Sequence, residues 1–326
     1  MLCRRLIVLS LLCCCNVAVA GTIVDATGRS VDVPAHIERV LPAGPPAAIL
    51  LAALAPDLML GWTSPVSGST RALLSAEAAR LPQVPRLTGR EDVTEKIVAL
   101  KPDLILDYGT IAPRYMDLAK ATQQRTGIPT LLLDGSLSEV PRTFRMLGSI
   151  LHREQKAETL ARFAEAVLAL SAGQTKHPRV LCARGPDGLT VVAPGSDLAQ
   201  VFDQLGGQLV APTGQGPSRP ATLNDIRALD PEVLVFTDPA MRATIAQSDD
   251  WQSLRAVRDG HVFIAPNLPF GWLDEPPSIN RLLGLAWLGG GDPRTLAVLF
   301  NAVVYGHVLT PPQLDTVVAG AHSVQP

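Results

Sequence analysis

One segment of this chain occurs twice, first near residue 100 and again near residue 230. Residues 95–106 read EKIVALKPDLIL, and residues 224–235 read NDIRALDPEVLV. Each copy has the pattern of a short amphipathic helix, a corner of Pro followed by an acidic residue, and a buried strand. Proline interrupts helices and central strands, so it places the corner between the two elements. A helix–turn–strand unit in each half predicts two similar α/β lobes with a cleft between them.

The composition is that of a globular protein with material for two domains. The chain has 326 residues, of which 47% are hydrophobic and 18% charged, and its formal net charge is −2. That length permits two domains of ordinary size, each with its own core. The chain has no basic patch, so we expect no nucleic-acid partner. We expect it to act as a monomer.

Residues 1–20 have the pattern of a secretory signal peptide. Arginines at positions 4 and 5 precede an apolar run over residues 6–15, and Ala18-Val19-Ala20 forms a small-x-small cleavage site. A lipoprotein signal at one of the cysteines 13–15 is the alternative, but leucines stand where it needs small residues. We therefore predict export to the periplasm. Cys182 would then remain as a lone, buried thiol with no internal disulfide.

Strand and helix patterns alternate along both halves, which predicts parallel sheets. A hairpin over residues 22–33 comes first, and a strand pattern over 58–62 is among those that follow. Residues 154–172 form one long helical run with few breakers. The predicted α/β fold has two Rossmann-like lobes with parallel sheets, joined by this one long backbone helix. The predicted divisions are a lobe over 21–152, the connecting helix over 153–173 and a lobe over 174–326.

In this order, the patterns resemble the helical-backbone class (class III) of periplasmic substrate-binding proteins, which serve ABC importers. The resemblance covers nearly all of residues 21–326. It is carried by the breaker-poor helix and by four segments: TIVDATGR at 22–29, IVALKPDLI at 97–105, ALDP at 228–231 and WQSLRAVRDGHV at 251–262. The resemblance implies a small-molecule metal complex or an oxyanion as ligand, bound in the cleft without a cofactor and delivered to a membrane permease dimer. It implies no catalysis.

Two acidic residues are candidates for contact with the permease. In this family one acidic residue on each lobe meets basic residues of the membrane permease. Glu95 stands at the first position, whereas the matching place in the second half is Asn224, with Asp225 beside it. The resemblance therefore implies Glu95 and Asp225 as docking residues. Acids at a helix start are also favoured there without any partner.

Ligands of open parallel sheets bind beyond the carboxyl ends of the strands, which is where most of the candidate ligand-binding residues fall. Tyr108 could stack, donate a hydrogen bond or, if ionised, ligate ferric iron. Flanking breakers are expected to expose Trp272 as a flat wall, and Trp62 is either a wall or a core residue. The full set of candidates is Pro45, Trp62, Arg90, Tyr108, Arg184 and Trp272.

Positive charge and free amides would suit an anionic ligand. Arg184 is followed by a turn that projects it outward, where it could bind a carboxylate or oxyanion bidentately. Residues 44–46, Gly-Pro-Pro, are expected to add free N–H groups at a helix start. Arg90 adds charge to a loop over residues 86–92, which lacks the tyrosine that haem-binding relatives place there.

The sequence bears on the class of ligand and on the possibility of catalysis. The histidines are scattered and form no paired motif, so no bare-metal site is expected. Asp107, Asp134 and Asp238 stand at strand ends, where catalytic groups often lie, but no catalytic motif accompanies them. The first choice of ligand is a ferric siderophore-type chelate. Molybdate or tungstate is the runner-up, and cobalamin also stays open.

Overall fold

The computed structural model describes residues 19–171 and 177–321. Most of the predicted signal peptide (1–18) and the end of the predicted connecting helix (172–173) lie outside this description. The strands are β1 (Val19–Val24), β2 (Ser30–Pro34), β3 (Val40–Pro42), β4 (Leu104–Gly109), β5 (Thr130–Asp134), β6 (Arg179–Arg184), β7 (Thr190–Val192), β8 (Gln208–Leu209), β9 (Ser218–Pro220), β10 (Val233–Phe236) and β11 (Val262–Ile264).

The helices pack around these strands, and a 3₁₀ turn at Leu137–Glu139 precedes the sixth of them. They are α1 (Pro45–Leu54), α2 (Gly68–Arg71), α3 (Ala76–Arg80), α4 (Thr94–Ala99), α5 (Pro113–Thr126), α6 (Val140–Leu151), α7 (Glu154–Leu170), α8 (Ala199–Gln204), α9 (Leu223–Leu229), α10 (Met241–Ala246), α11 (Asp249–Gln252), α12 (Arg255–Arg258), α13 (Arg281–Leu288), α14 (Pro293–Val303) and α15 (Pro311–Val317).

The N-terminal half is built on the parallel sheet β3-β4-β5. Successive side chains of a strand point to opposite faces, and both faces of β4 are covered. Leu104 and Leu106 join the large apolar cluster that includes residues of α1, α6 and α7, whereas Ile105 packs with Ile97 of α4. This burial explains the uninterrupted apolar run of the strand. The predicted hairpin is confirmed as the antiparallel pair β1-β2.

The C-terminal half contains a mixed sheet. Strands β6, β10 and β11 run parallel as predicted, and β8 pairs with β6 in the same direction. The short strands β7 and β9 extend the sheet antiparallel in the order β11-β10-β6-β7-β9. Cys182 of β6 is fully buried, as predicted, and burial raises the pKa of its thiol, so it behaves as a small apolar side chain.

The repeated segment has the same backbone geometry in both halves. Helix α4 leads into β4, and α9 leads into β10, through a corner whose first residue is left-handed in each case. That residue is Lys101, with φ 48°, in the first copy and Asp230, with φ 38°, in the second. Such values are uncommon for residues other than glycine, so their recurrence at one register supports the repeat.

In each copy of this corner, one carboxylate and one arginine form hydrogen bonds to the backbone. The carboxylate of Asp103 accepts the backbone N–H of Arg39 at 2.9 Å, and that of Glu232 accepts the N–H of Arg179 at 2.8 Å. Each arginine returns its guanidinium to the end of the preceding helix, Arg39 to Leu100 O at 2.7 Å and Arg179 to Leu229 O. The acid after proline therefore joins a strand start to a helix end in both halves.

Helix α7 carries the apolar stripe predicted for it. Ala157, Leu160, Ala161, Ala164 and Val167 are buried. They belong to one continuous apolar cluster that contains Leu104 and Leu131 of the N-terminal sheet and also Val180, Cys182 and Val235 of the C-terminal sheet. The halves are therefore joined by a shared core as well as by the chain.

The strand predicted over residues 58–62 is not a regular strand. Its residues pair through isolated bridges, Val40 with Met59 and Trp62 with Gln83. Gln83 lies between Pro82 and another proline at 85, and proline has no N–H to donate. The ladder therefore cannot extend beyond one bridge.

The contact between α6 and α7 gives a stability prediction. A Cβ atom built on Gly148 of α6 would lie 2.3 Å from Cβ of Ala157 on α7. We expect Gly148→Ala to lower the free energy of unfolding by about 1–3 kcal/mol, because it forces the helices apart. Urea unfolding of the two single variants and of Gly148→Ala/Ala157→Gly checks this. The double variant should recover stability, and simple additivity of the single effects would contradict the contact.

Candidate functional site

A cavity of about 640 Å³ opens between the two halves. It lies where the fold places the ends of several strands, because loops that follow β3, β4 and β11 form its walls. The N-terminal half contributes Pro45, Trp62, Thr63, Arg86, Asp107, Tyr108 and Tyr115, and the C-terminal half contributes Asp197, Asn267, Phe270, Glu275 and Arg281, among others.

Tyr108 lies at the end of β4 with a side chain that is 2% exposed. Its hydroxyl is covered and makes no hydrogen bond of good geometry among the described residues, although the guanidinium of Arg281 lies near enough to interact with it. Burial raises its pKa to about 12, although the positive charge of Arg281 opposes this shift. The phenol is therefore protonated at neutral pH in the free protein, so it can donate a hydrogen bond.

A second unpartnered hydroxyl lies in the same cavity. Thr63 follows the bridge at Trp62 and is 5% exposed, and its Oγ1 has no partner among the described residues. Buried polar groups are normally hydrogen-bonded, so two orphaned hydroxyls on one cavity wall are informative. Both oxygens are covered by neighbouring atoms, so a molecule in the cleft reaches them only if the wall shifts slightly.

Arg281 connects the two halves at the edge of the cavity. It is 2% exposed, and its guanidinium donates to Gly135 O of the N-terminal half and, in its own half, to Asp197 O at 2.6 Å and Ser278 O at 3.3 Å. Thr110 donates its hydroxyl to the Asp197 carboxylate across the same gap. In the sequence, Arg281 is the single charged residue of an apolar helix. An argument based on the ends of strands does not identify it.

Further hydrogen bonds link the halves around the cavity. The hydroxyl of Ser278 donates to Pro46 O at 2.8 Å, and that of Thr70 donates to Pro269 O at 3.1 Å. On the outer side, Asn301 of α14 donates to Leu73 O at 3.0 Å. These bonds hold the walls at a fixed separation.

The charged groups of the cavity are nearly balanced. Arg86 and Arg281 are its cationic residues, and Asp107, Asp197 and Glu275 its acidic ones. Burial raises the pKa of Asp107 against the opposing charge of Arg86. Burial and the neighbouring carboxylate of Asp274 raise the pKa of Glu275. The residues that line the cavity therefore carry no strong net positive charge.

Two of the predicted ligand-binding residues lie in the cavity wall alongside Tyr108. Pro45 opens α1 and is half-buried there. Trp62 is 3% exposed, donates its indole N–H to Ala78 O at 2.9 Å and packs against Phe270 with ring centroids 5.5 Å apart. It is both a core residue and a wall of the cavity.

The other predicted ligand-binding residues lie elsewhere. Trp272 is 0% exposed, so its expected exposure is wrong: the loop turns it inward, where it donates to Leu268 O at 3.1 Å and packs on Trp287. Arg184 does not project outward, because its guanidinium binds Asp274 and Ser218. Neither lines the cavity, and Arg90 lines a separate groove on the N-terminal half.

The helix start at Gly44 offers fewer amides than expected. Helix α1 begins with Pro45 and Pro46, and neither has an N–H. The expectation of several free amides at this site is therefore wrong. Only the amides of Gly44 and Ala47 can serve a ligand at this helix end.

The two candidate docking residues are exposed on equivalent helices. Glu95 lies in the first turn of α4, and Asp225 lies in the first turn of α9. The Asp225 carboxylate accepts from the N–H of Thr222 at 2.8 Å and from its hydroxyl at 2.7 Å, a capping box that lowers the pKa of Asp225. Asn224 accepts a hydrogen bond from Arg227.

The fold and the interlobe cavity are those of a substrate-binding protein of an importer. The family model described as periplasmic binding protein matches residues 56–268, and the chain belongs to this family. Its fold is that of the class III periplasmic binding proteins of ABC importers, which confirms the resemblance and the predicted fold class. In residues 19–171 and 177–321, no helix combines the length and apolarity needed to cross a bilayer.

Among the relatives, one is named for vitamin B12, one for molybdate and one for no ligand. The vitamin B12-binding protein of Vibrio parahaemolyticus is 27% identical over 210 residues, which cover 61% of this chain and 71% of the relative. An ABC transporter solute-binding protein of Sulfurospirillum deleyianum is 25% identical, with a TM-score of 0.81 over 91% of this chain and 99% of that one. The molybdate-binding MolA of Haemophilus influenzae, 19% identical, has a TM-score of 0.68 over 89% and 99%.

The unpartnered phenol gives a prediction on stability. We expect Tyr108→Phe to leave the free energy of unfolding at pH 7 unchanged or to raise it by about 1 kcal/mol, since the lost hydroxyl has no partner. The buried phenol ionises near 12 and the unfolded one near 10, so the wild-type protein loses stability as the pH rises from 10 through 12. The variant should lack this part of the alkaline loss in denaturant titrations.

The matched control is Trp62→Phe, which loses the bond to Ala78 O as well as packing area. It should destabilise the protein at every pH. A clear loss of stability in Tyr108→Phe at pH 7 would contradict the unpartnered state of its hydroxyl.

Proposed function

We propose that this periplasmic binding protein captures a metal ion enclosed in an organic chelator, of the ferric siderophore type, and delivers it to a membrane permease. The observation that carries the proposal is the 640 Å³ cavity between the halves, walled by aromatic and proline side chains. In the proposal the exported chain acts as a monomer and its leader is residues 1–20.

The size of the cavity favours an organic complex over a bare ion. Cavities of several hundred Å³ suit molecules of drug size. A bare oxyanion is small and needs several donors converging on one point. Pro45 and Pro46 remove two of the amides that could do this, and Arg281 already donates to backbone carbonyls.

The chemistry of the walls also favours an organic complex. Trp62, Phe270 and Tyr115 present apolar faces, which suit the periphery of a chelator or macrocycle. Tyr108 and Thr63 lie in the same wall with uncharged hydroxyls, and a small shift of the wall would let these bond to oxygen atoms of the chelator. The described residues contain no cluster of three or more His, Cys, Asp or Glu, so in the proposal the chelator supplies most of the metal's ligands.

Cobalamin is the second candidate, and one observation favours it. The relative in Vibrio parahaemolyticus is a vitamin B12-binding protein, and it aligns with 61% of this chain. A corrinoid is also an organic metal complex that would suit nearly balanced walls. Molybdate and tungstate have weaker support, because MolA at 19% identity shows the fold alone.

Native mass spectrometry with elemental analysis tests the proposal. We expect protein purified from its own periplasm to carry iron together with an organic mass in one-to-one proportion. Cobalt with a corrinoid mass would select the second candidate. Molybdenum or tungsten without an organic mass would overturn both.

Binding by two variants then ties the cargo to the cavity. Tyr108→Phe should weaken affinity for the identified complex by about five- to tenfold, as expected for one lost hydrogen bond. Trp287→Phe is the control, because Trp287 lies outside the cavity wall, behind Trp272. Equal effects of the two variants would place the cargo elsewhere.

We also propose that Glu95 and Asp225 contact basic residues of the permease. Both carboxylates are exposed, and the repeated segment places them on equivalent helices of the two halves. Single exposed ion pairs contribute about 0–1 kcal/mol, which is enough to orient the partners. Asp225 can serve because a carboxylate that caps a helix still has exposed acceptor capacity.

Charge reversal tests this contact. We expect Glu95→Lys/Asp225→Lys to lower uptake at least about fivefold in cells, while affinity for the cargo stays unchanged. The control is Thr222→Ala, which breaks the same capping box without changing any charge and costs about 0.5–2 kcal/mol of stability. Unchanged uptake in the charge-reversal variant, or an equal loss in the control, would refute docking at these residues.

A further inference from the structure

A second hollow lies on the N-terminal half beside the cleft. It has a volume of about 500 Å³ and is lined by parts of the chain between Gln83 and Lys96. Arg86 lines both this hollow and the cleft, so the two are adjacent and share one side chain. We call this hollow, between residues 83 and 96, the basic groove.

The basic groove concentrates positive charge. Arg86, Arg90 and Lys96 line it, and Glu91 is its one acidic residue. Within the described residues, none of the three cations uses its side chain in a hydrogen bond or an ion pair; the backbone N–H of Arg90 bonds to Thr88 Oγ1 at 3.1 Å. This contrasts with Arg145, which binds Glu158 and Glu165 on the surface of the same half.

The opposite wall of the cleft has the opposite charge. Asp197 and Glu275 come from the C-terminal half, and Arg281 beside them stays positively charged while it donates to backbone carbonyls, so this wall has a small net negative charge. The electrostatic potential therefore becomes more positive from the C-terminal wall of the cleft toward the basic groove. Such a field would orient a bound molecule with its negative end toward Arg86.

We propose that the basic groove receives an anionic arm of the cargo, so that the cargo is an anionic metal chelate and the groove steers it into the cleft. This inference rests on the proposed function, because it requires the metal complex to occupy the adjoining cavity. Oxygen-rich anionic groups such as carboxylates or catecholates match guanidinium and ammonium donors. The shared Arg86 would bond to the arm where it leaves the cleft.

Charge steering has a kinetic signature. Attraction between a charged groove and a ligand of opposite sign raises the association rate by about tenfold or more, and the effect falls steeply with ionic strength. The dissociation rate changes less when exposed charges at a rim are removed. A neutral ligand should show neither effect.

The experiment compares two ferric probes by stopped-flow quenching of tryptophan fluorescence. One is a strongly anionic ferric tricatecholate and the other a net-neutral ferric trihydroxamate, each at low and high salt. In the wild-type protein the tricatecholate should associate about tenfold faster at low salt than at high salt. The variant Arg90→Gln/Lys96→Gln should lose most of this acceleration and leave the trihydroxamate unaffected.

The matched control is Lys120→Gln/Arg258→Gln, which removes the same amount of charge from exposed positions outside the cleft and the groove. It should behave as the wild type. If the groove variant and the control have equal association rates for the tricatecholate, the groove assignment is overturned while the proposed function stands. If the wild-type protein binds neither ferric probe, the proposed function falls, and this inference falls with it.

Discussion

The shared apolar core around α7 is the constraint on which the rest of the structure depends. It buries one face of each sheet and the apolar stripe of the connecting helix in a single cluster. Burial of this kind contributes about 25 cal/mol per Å² of apolar surface, far more than the rim hydrogen bonds do. The orientation of the halves follows from this core, and the cleft is the space that it leaves at the strand ends.

A fixed frame explains why unpartnered hydroxyls persist inside the cleft. If the walls were free to approach, Tyr108 and Thr63 could find partners across the gap and relieve the cost of burial. The bonds from Ser278 to Pro46 and from Thr70 to Pro269 close the rim while the core keeps the walls apart. The cost of the unpaired hydroxyls therefore stays in the free protein.

The sequence predicted the strands and helices better than it predicted the residues of the site. The reason is that sequence patterns do not show in which direction a side chain points. Periodicity and the repeated corner identify strand ends, and strand ends locate the cleft, as they did for Tyr108 and Pro45. They do not say which way a side chain in a long loop turns, and Trp272 turns into the core. Arg184 has a partner ninety residues away, Asp274, which no local pattern could reveal. The sequence analysis did not identify Arg281, because this residue begins a helix and most of the candidate residues were taken from strand ends.

The division of charge between the two walls bears on the choice of ligand. A small oxyanion at Arg86 would have to approach Asp107, whose carboxyl interacts electrostatically with the same guanidinium. A larger chelate can place its apolar periphery against Trp62 and Phe270, its neutral oxygens at Tyr108 and Thr63, and its negative arm beyond Arg86. In that pose each part of the ligand meets a wall of matching chemistry, and the acidic C-terminal side faces the part that carries least negative charge. The volume of the cavity and its electrostatics thus favour the same class of cargo for independent reasons.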